Sequence, residues 1–313
     1  MTRFRNILAV YNGTNGSEAV LEQAAAIAEA QGARLTLLKQ LAAGDSLDEA
    51  NKRLRRVVPW IVQQGVVRVE TLVTADRSYQ EIVRLVSEKA HDLVILCAEG
   101  GAGLRNAIFG DLATSLMRAC PCPVWVLGPE QTVPCARILA AVGAGGGDAP
   151  GSAINDGIVG LGATLARSHG AELHILHAWS PAAEDAELLK NEISDETREL
   201  VLRRNEAAHR STINSLLSRI PVDGVDHQVH LPRSLPLQAI VTLASRLKAD
   251  VVVMGGTGRA GIPRLVLGNP AETVFGTVGC SVLCVTANGV DALESSDFKE
   301  DTPQALLRTV GLR

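Results

Sequence analysis

Asp250-Val-Val-Val-Met-Gly255, followed by glycines at 258 and 268 and then Asn269-Pro270, is the stretch that decides the fold. A short apolar run bounded by an acid and a glycine fits a parallel strand buried on both faces. The glycines beyond it are spaced G-x2-G-x9-G, which leaves main-chain amides free to face an anion where the next helix starts. The same arrangement occurs earlier in the chain. Asp92-Leu-Val-Ile-Leu-Cys97 leads through glycines to Phe109-Gly110, as the later run leads to Leu267-Gly268. One constant offset pairs Asp92 with Asp250, Gly100 with Gly258, Gly110 with Gly268 and Cys122 with Cys280, and a duplication explains it.

The 313 residues exceed what one core usually organises and fit two domains of about 150 residues each. With 46% hydrophobic residues, 20% charged and a net charge of -4, the chain has no electrostatic footprint for nucleic acid. Met1-Thr-Arg-Phe-Arg5 runs straight into the apolar Asn6-Ile-Leu-Ala-Val10, too short and wrongly flanked for a signal peptide. No run is long enough to insert in a membrane. A cytoplasmic protein is the expectation, and its six cysteines read as reduced thiols. Cys120-Pro121-Cys122 invites a metal or redox reading, but its copy is Val278-Gly279-Cys280, so packing is the preferred reading.

Val- and Leu-rich runs alternate with amphipathic ones through both halves, the pattern of α/β domains whose parallel sheet is covered on both faces. Strands are expected near 5–11, 33–40, 66–74, 92–97 and 123–127, with helices over 17–30, 47–64, 79–90 and 111–120. The second half repeats the order, with strands near 136–142, 172–178, 225–231, 249–255 and 281–286 and helices near 152–168, 184–218, 235–247 and 269–277. Its two longer segments, Gly143–Pro150 and Glu184–Arg219, are expected to face solvent. Pro134 and the preceding Gly128-Pro129-Glu130-Gln131 mark the linker, giving domains 1–130 and 134–288 and a tail 289–313.

In an open parallel sheet, ligands bind beyond the carboxyl ends of the strands where the strand order reverses. Gly255 ends a fourth strand and Gly143 follows a first, so neighbouring strands would set both loops on one crevice. Glycine there removes a Cβ from the path of a ligand and permits positive φ. Asn269 stands at a helix cap, ahead of Pro270 and with Glu272 three residues on. Arg259 and Arg264 flank the loop and carry charge suited to phosphate. Competing motifs fit less well. Gly256-Thr-Gly-Arg-Ala-Gly261 matches a dinucleotide fingerprint but follows the wrong strand, and no Gly-Lys-Ser/Thr follows the glycines. His174 and His177 read as projecting from one strand face, His227 and His230 from opposite faces, and neither pair has an identifiable nucleophile.

These residues resemble the universal stress protein family, in its tandem form, over about 4–128 and 136–287. The likeness is carried by Val253-Met-Gly-Gly-Thr-Gly-Arg-Ala-Gly261, Leu267-Gly-Asn269, Gly279-Cys-Ser-Val-Leu-Cys-Val285 and the opening strands Ile7–Val10 and Ile138–Val142. The resemblance implies two tandem five-stranded parallel-sheet domains of the adenine nucleotide alpha hydrolase-like kind, open and twisted, paired through 123–127 and 281–286 as a pseudo-dimer. It also implies ATP, with or without Mg, as cofactor. Carried over by position, the nucleotide would meet Ala141, Val142, Gly143, Ala178, Met254, Gly255, Gly258, Arg259, Gly268, Asn269 and Pro270. The family's acidic residue after the first strand is Gly143 here, with Asp148 a distant substitute, which puts ribose or metal contacts in doubt.

The first half departs further, with Cys97 at the first signature glycine, Glu99 in the loop and Asp111 at the cap. A like charge about 4 Å from a phosphate costs on the order of 4 kcal/mol at an effective dielectric near 20, so this half is expected not to hold ATP. The expected function is a stress-response regulator that binds an adenine nucleotide and need not be an enzyme, with no catalytic or metal residues nominated. A binding module for an apolar ligand or a protein partner, a slow ATPase or self-phosphorylating switch, and further self-association all stay open.

Overall fold

The computed structural model describes residues 3–13, 16–42, 44–98, 110–128, 131, 133–143, 150–180, 194–256 and 270–286, with main chain alone at 150 and 151. The first half contains β1 (Asn6–Val10), α1 (Ser17–Gln31), β2 (Arg34–Gln40), α2 (Leu47–Gln63), β3 (Arg68–Thr74), α3 (Tyr79–Lys89), β4 (Leu93–Cys97), α4 (Gly110–Ala119) and β5 (Val124–Leu127). The second contains β6 (Arg137–Ala141), α5 (Pro150–His169), β7 (Glu172–Leu176), α6 (Asp195–Arg219), β8 (His227–His230), α7 (Pro236–Leu247), β9 (Val251–Gly255), α8 (Pro270–Val278) and β10 (Ser281–Val285).

The strands form one ten-stranded sheet in the order β3-β2-β1-β4-β5-β10-β9-β6-β7-β8. Neighbours within each half are parallel. The halves join antiparallel, with Val282 opposite Val126, Leu283 opposite Trp125 and Cys284 opposite Val124. The expected pairing through the last strands is therefore present. It reverses direction, so the carboxyl ends of the second half's strands share a side with the amino ends of the first half's.

Side-chain alternation divides the core in two. Ile7 and Ala9 of β1 enter one apolar cluster with residues of α1, α2, α5 and α6. Leu8 and Val10 enter the other, with α3, α4, α7 and α8. Both clusters run through both halves, because β4, β5, β9 and β10 are Val-, Leu- and Ile-rich and buried along nearly their whole length. At the junction a Cβ on Gly128 would stand 2.7 Å from the Gly279 carbonyl oxygen, so only glycine admits this approach. The Gly128 amide donates to Ser281 Oγ at 2.9 Å.

The repeated aspartates find a structural use. Asp92 accepts the Arg5 and Asn6 amides at 2.6 and 3.1 Å, and Asp250 accepts those of Ala136 and Arg137 at 2.7 and 2.8 Å. Each carboxylate fastens the amino end of its half's first strand to the start of its fourth.

Three expectations change. The segment expected to face solvent from 184 contains α6, which buries Ile213 and Leu216 and carries His209 onto His177. Asp111 lies inside the first turn of α4, which opens at Gly110, where φ is +76°. His174 and His177 do not share a face: His174 meets His230 at 3.1 Å, whereas His177 meets Val142 O and His209. The tail 289–313, Asp148 and Glu99 lie outside the described residues. Among the described residues no helix is long and apolar enough to cross a membrane.

Candidate functional site

In the second half β7 and β8 lie to one side of β6, and β9 and β10 to the other, so the order reverses between β6 and β9. Ala141 pairs with Met254 across that line, at the kind of strand reversal where an open parallel sheet binds its ligands. Val142 and Gly143 continue from β6, Gly255 closes β9, Ala178 follows β7 by two residues and Pro270 begins α8. Ala141, Val142 and Met254 are buried, while Gly143, Ala178, Gly255 and Pro270 are half-buried. Gly258, Arg259, Gly268 and Asn269 lie outside the described residues, as does Arg264.

The crevice corrects two expectations about glycine. A Cβ on Gly255 would meet Ile154 Cγ2 at 3.3 Å and Ile158 Cδ1 at 3.8 Å, so the missing side chain makes room for α5. Neither Gly255 nor Gly143 adopts positive φ. The Gly143 amide donates to Asn155 Oδ1 at 2.9 Å, and Asn155 Nδ2 donates back to the Gly143 carbonyl at 3.2 Å. Gly256 donates its amide to Val285 O at 2.8 Å. These amides are committed to the fold.

Asn155 was not among the nominated residues. Its signal is a polar side chain in the run Ala153-Ile-Asn-Asp-Gly-Ile158, where it is buried beside apolar neighbours. His209 was missed as well, because α6 mixes apolar and charged residues without a one-sided pattern and no spacing marks one residue of it. His177 Nδ1 lies 3.3 Å from the Val142 carbonyl, an acceptor only, so this nitrogen carries the proton and Nε2 accepts from His209 Nδ1 at 2.9 Å. His209 stacks on Trp179 with ring centroids 5.0 Å apart. Arg233 lies 5.5 Å over the same indole and pairs with Glu206 at 2.7 Å. The end of β6 is thus tied through two histidines to α6.

A cavity of about 430 Å³ lies elsewhere, at the β8 edge, lined by residues including Val229, His230, Leu231, Ala239, Leu243 and Arg246. It shares no residue with the nominated set. Burial lowers the His230 pKa, reinforced by His174 and Arg246. Among the described residues no group of three or more His, Cys, Asp or Glu side chains is suited to hold a metal ion.

The corresponding reversal of the first half lies between β1 and β4, and beside it the end of β2 carries Lys39. Lys39, one residue short of that end, is buried, donating to the Asn12 carbonyl at 3.1 Å and pairing with Asp45 at 3.4 Å. Cys97 occupies the place of Gly255, and a Cβ on Gly16 would stand 3.3 Å from its Cβ.

Comparison with known proteins agrees with this architecture. The chain is 26% identical over 250 residues to universal stress protein E of Escherichia coli K12, covering 77% of this chain and 78% of that protein. A solved structure described as a putative universal stress protein from Pseudomonas aeruginosa aligns with a TM-score of 0.70 at 24% identity, over 93% of this chain and 96% of that one. A universal stress protein solved in complex with cAMP covers 41% of this chain, at 17% identity and a TM-score of 0.36, a likeness too slight to bear on the ligand here. The universal stress protein family model matches residues 3–128 and again 136–286, and the chain belongs to that family.

Proposed function

We propose that this protein is a cytoplasmic stress-response regulator whose second half binds an adenine nucleotide, ATP with or without Mg, and whose first half is a structural partner. The observation that carries the reading is the strand reversal between β6 and β9, which brings Ala141, Val142, Gly143, Met254 and Gly255 together at the carboxyl ends of those two strands. Adenine would lie against Ala141, Val142 and Ala178, with phosphates on Gly258, Gly268 and Asn269 and Arg259 offsetting their charge. The domains assigned to these roles are 1–130 and 134–288, followed by the tail 289–313. Binding does not require turnover. The acidic residue that the family resemblance places after the first strand is Gly143 here, so a Mg-dependent ATPase is the weaker reading.

Mass spectrometry of small molecules released from purified protein tests the proposal, repeated on Gly258→Asp. A bound adenylate that disappears in the variant supports it. Unchanged nucleotide content moves the site elsewhere, and calorimetry with ATP showing no heat beyond dilution overturns nucleotide binding. A second reading, an apolar ligand, is favoured only by the cavity at β8; it predicts a released ligand that is no nucleotide and is insensitive to Gly258→Asp.

A further inference from the structure

Cys120 and Cys122 flank Pro121 in the bend between α4 and β5, and their sulfurs lie 3.6 Å apart. The bend is held at both ends, since the Cys120 amide donates to Leu116 O at 2.8 Å and the Pro123 carbonyl accepts from the Val94 amide at 3.0 Å. Cys122 is fully buried and Cys120 is 3% exposed, so Cys120 is the member nearer solvent. The duplication supplies an internal contrast: Cys280 repeats Cys122, but its neighbour two residues earlier is Val278. Packing alone would be met by one thiol at this bend, as it is in the second half.

The antiparallel junction sets this bend beside the other half's crevice. The carbonyl oxygen of Met117, in the last turn of α4, lies 3.5 Å from where a Cβ on Gly256 would stand, and Cys284 Sγ and Thr286 Cγ2 stand at similar range. Gly256 is where the chain leaves β9 for the glycine-rich segment. A change in the α4 to β5 bend that shifts the last turn of α4 therefore reaches the start of that segment through one layer of atoms.

We propose that Cys120 and Cys122 form an oxidisable pair that closes to a disulfide, and that its closure is felt at Gly256. With a peroxide as oxidant, the Cys120 sulfur attacks one peroxide oxygen and the O–O bond breaks. The other oxygen leaves as water or an alcohol, taking up a proton, and Cys120 becomes a sulfenic acid. The Cys122 sulfur then displaces that hydroxyl, which departs as water with the Cys122 proton. Two thiols lose two electrons in all and one peroxide gains them.

The roles follow from the surroundings. The hydrogen bond from Cys122 holds the Cys120 thiol below its usual range, while burial pushes Cys122 well above it. Burial also pushes Cys135, Cys280 and Cys284 up to about 12, which disfavours the thiolate form that attacks a peroxide. A ring closed across a single residue strays from relaxed disulfide geometry, so the bond is readily reduced again.

The test treats the full chain with hydrogen peroxide, blocks remaining thiols, and maps links by mass spectrometry, with fragmentation separating Cys122 from Cys135. A link between Cys120 and Cys122, reversed by dithiothreitol and formed at doses that leave Cys280 and Cys284 free, is the expected result. Cys120→Ser should leave Cys122 reduced at the same dose, and Cys122→Ser should leave Cys120 as a trappable sulfenic acid. Hydrogen exchange at the Gly256 amide should change at least several-fold on oxidation of the wild type and not in either serine variant. Both readouts are independent of nucleotide. A pair that stays reduced while other cysteines oxidise overturns the proposal, as does a link that forms only under unfolding conditions. Unaltered exchange at Gly256 in fully linked protein overturns the transmission.

Discussion

Counting back equal steps from Gly32 and Gly170, the left-handed glycines that follow α1 and α5, reaches Gly16 in the first half and Ile154 in the second. Facing them at the ends of β4 and β9 are Cys97 and Gly255. In the first half the strand carries the side chain and the glycine stands at the helix start; in the second the assignment is exchanged, and in both a Cβ added to the glycine would crowd the facing side chain at 3.3 Å. The crevice glycine of the second half is thus one member of a size exchange that seats a helix. Duplicated halves can diverge at a site while conserving the volume behind it.

The sharpest test of that exchange transplants the first half's pair into the second. Ile154→Gly alone should cost about 3–5 kcal/mol, from lost burial and a glycine inside a helix. Gly255→Cys alone should cost about 1–3 kcal/mol, by crowding Ile154. The double variant should be at least ~1 kcal/mol more stable than the sum of the two, read from urea unfolding. Simple additivity would break the comparison.

A second difference lies at the amino ends of the fourth strands, where His91-Asp92 stands against Ala249-Asp250. Burial raises Asp92 to about 6, opposed by the Arg5 and Asn6 amides, and burial lowers His91 to about 4. Asp92 binds more protons folded than unfolded, so its contribution is full below its ordinary value of 3.8 and lost as pH rises through about 6. His91 has the opposite sign: its contribution is full above 6.5 and lost as pH falls through about 4. The two slopes oppose each other between those limits. Asp92→Asn should expose the histidine's slope, a loss of roughly 3 kcal/mol from pH 6.5 to 4 that the parent does not show. Thermal midpoints across that range would measure it, and a variant as flat as the parent would count against the pairing.

Asn155→Ala removes both bonds to Gly143, for which the first half has no equivalent glycine, Asn12 standing there instead. The expected cost is about 1–3 kcal/mol, with faster hydrogen exchange at the Gly143 amide. The smallest effect belongs to the contact between halves from Arg118 to Glu272, at 3.7 Å and partly exposed. Glu272→Gln should change stability by less than about 1 kcal/mol, and less again in high salt.

Much of the fold was legible in the residues. The Val- and Leu-rich runs mark the central strands within a residue or two, because a strand buried on both faces must be apolar throughout, whereas the edge strands β3 and β8 are polar and exposed in part. The offset from Asp92 to Asp250 announced the duplication, and the order reversal placed Ala141 beside Met254. Legibility failed where the answer depended on which side chain faces which across packed layers. Gly255 reads as ligand space until Ile154 is seen against it. The Gly143 amide reads as free until Asn155, twelve residues on, is seen to hold it. His174 and His177 were misread because the second lies beyond the end of β7, three positions from the first and so on the opposite face.

One consequence follows from the junction of β5 with β10. Because both strands belong to a single chain, dilution cannot part them, and each molecule carries one half of each kind at a ratio that expression level cannot alter. Two separate chains would sort themselves into like and unlike couples according to their abundance. Here the unlike couple is written into the covalent structure.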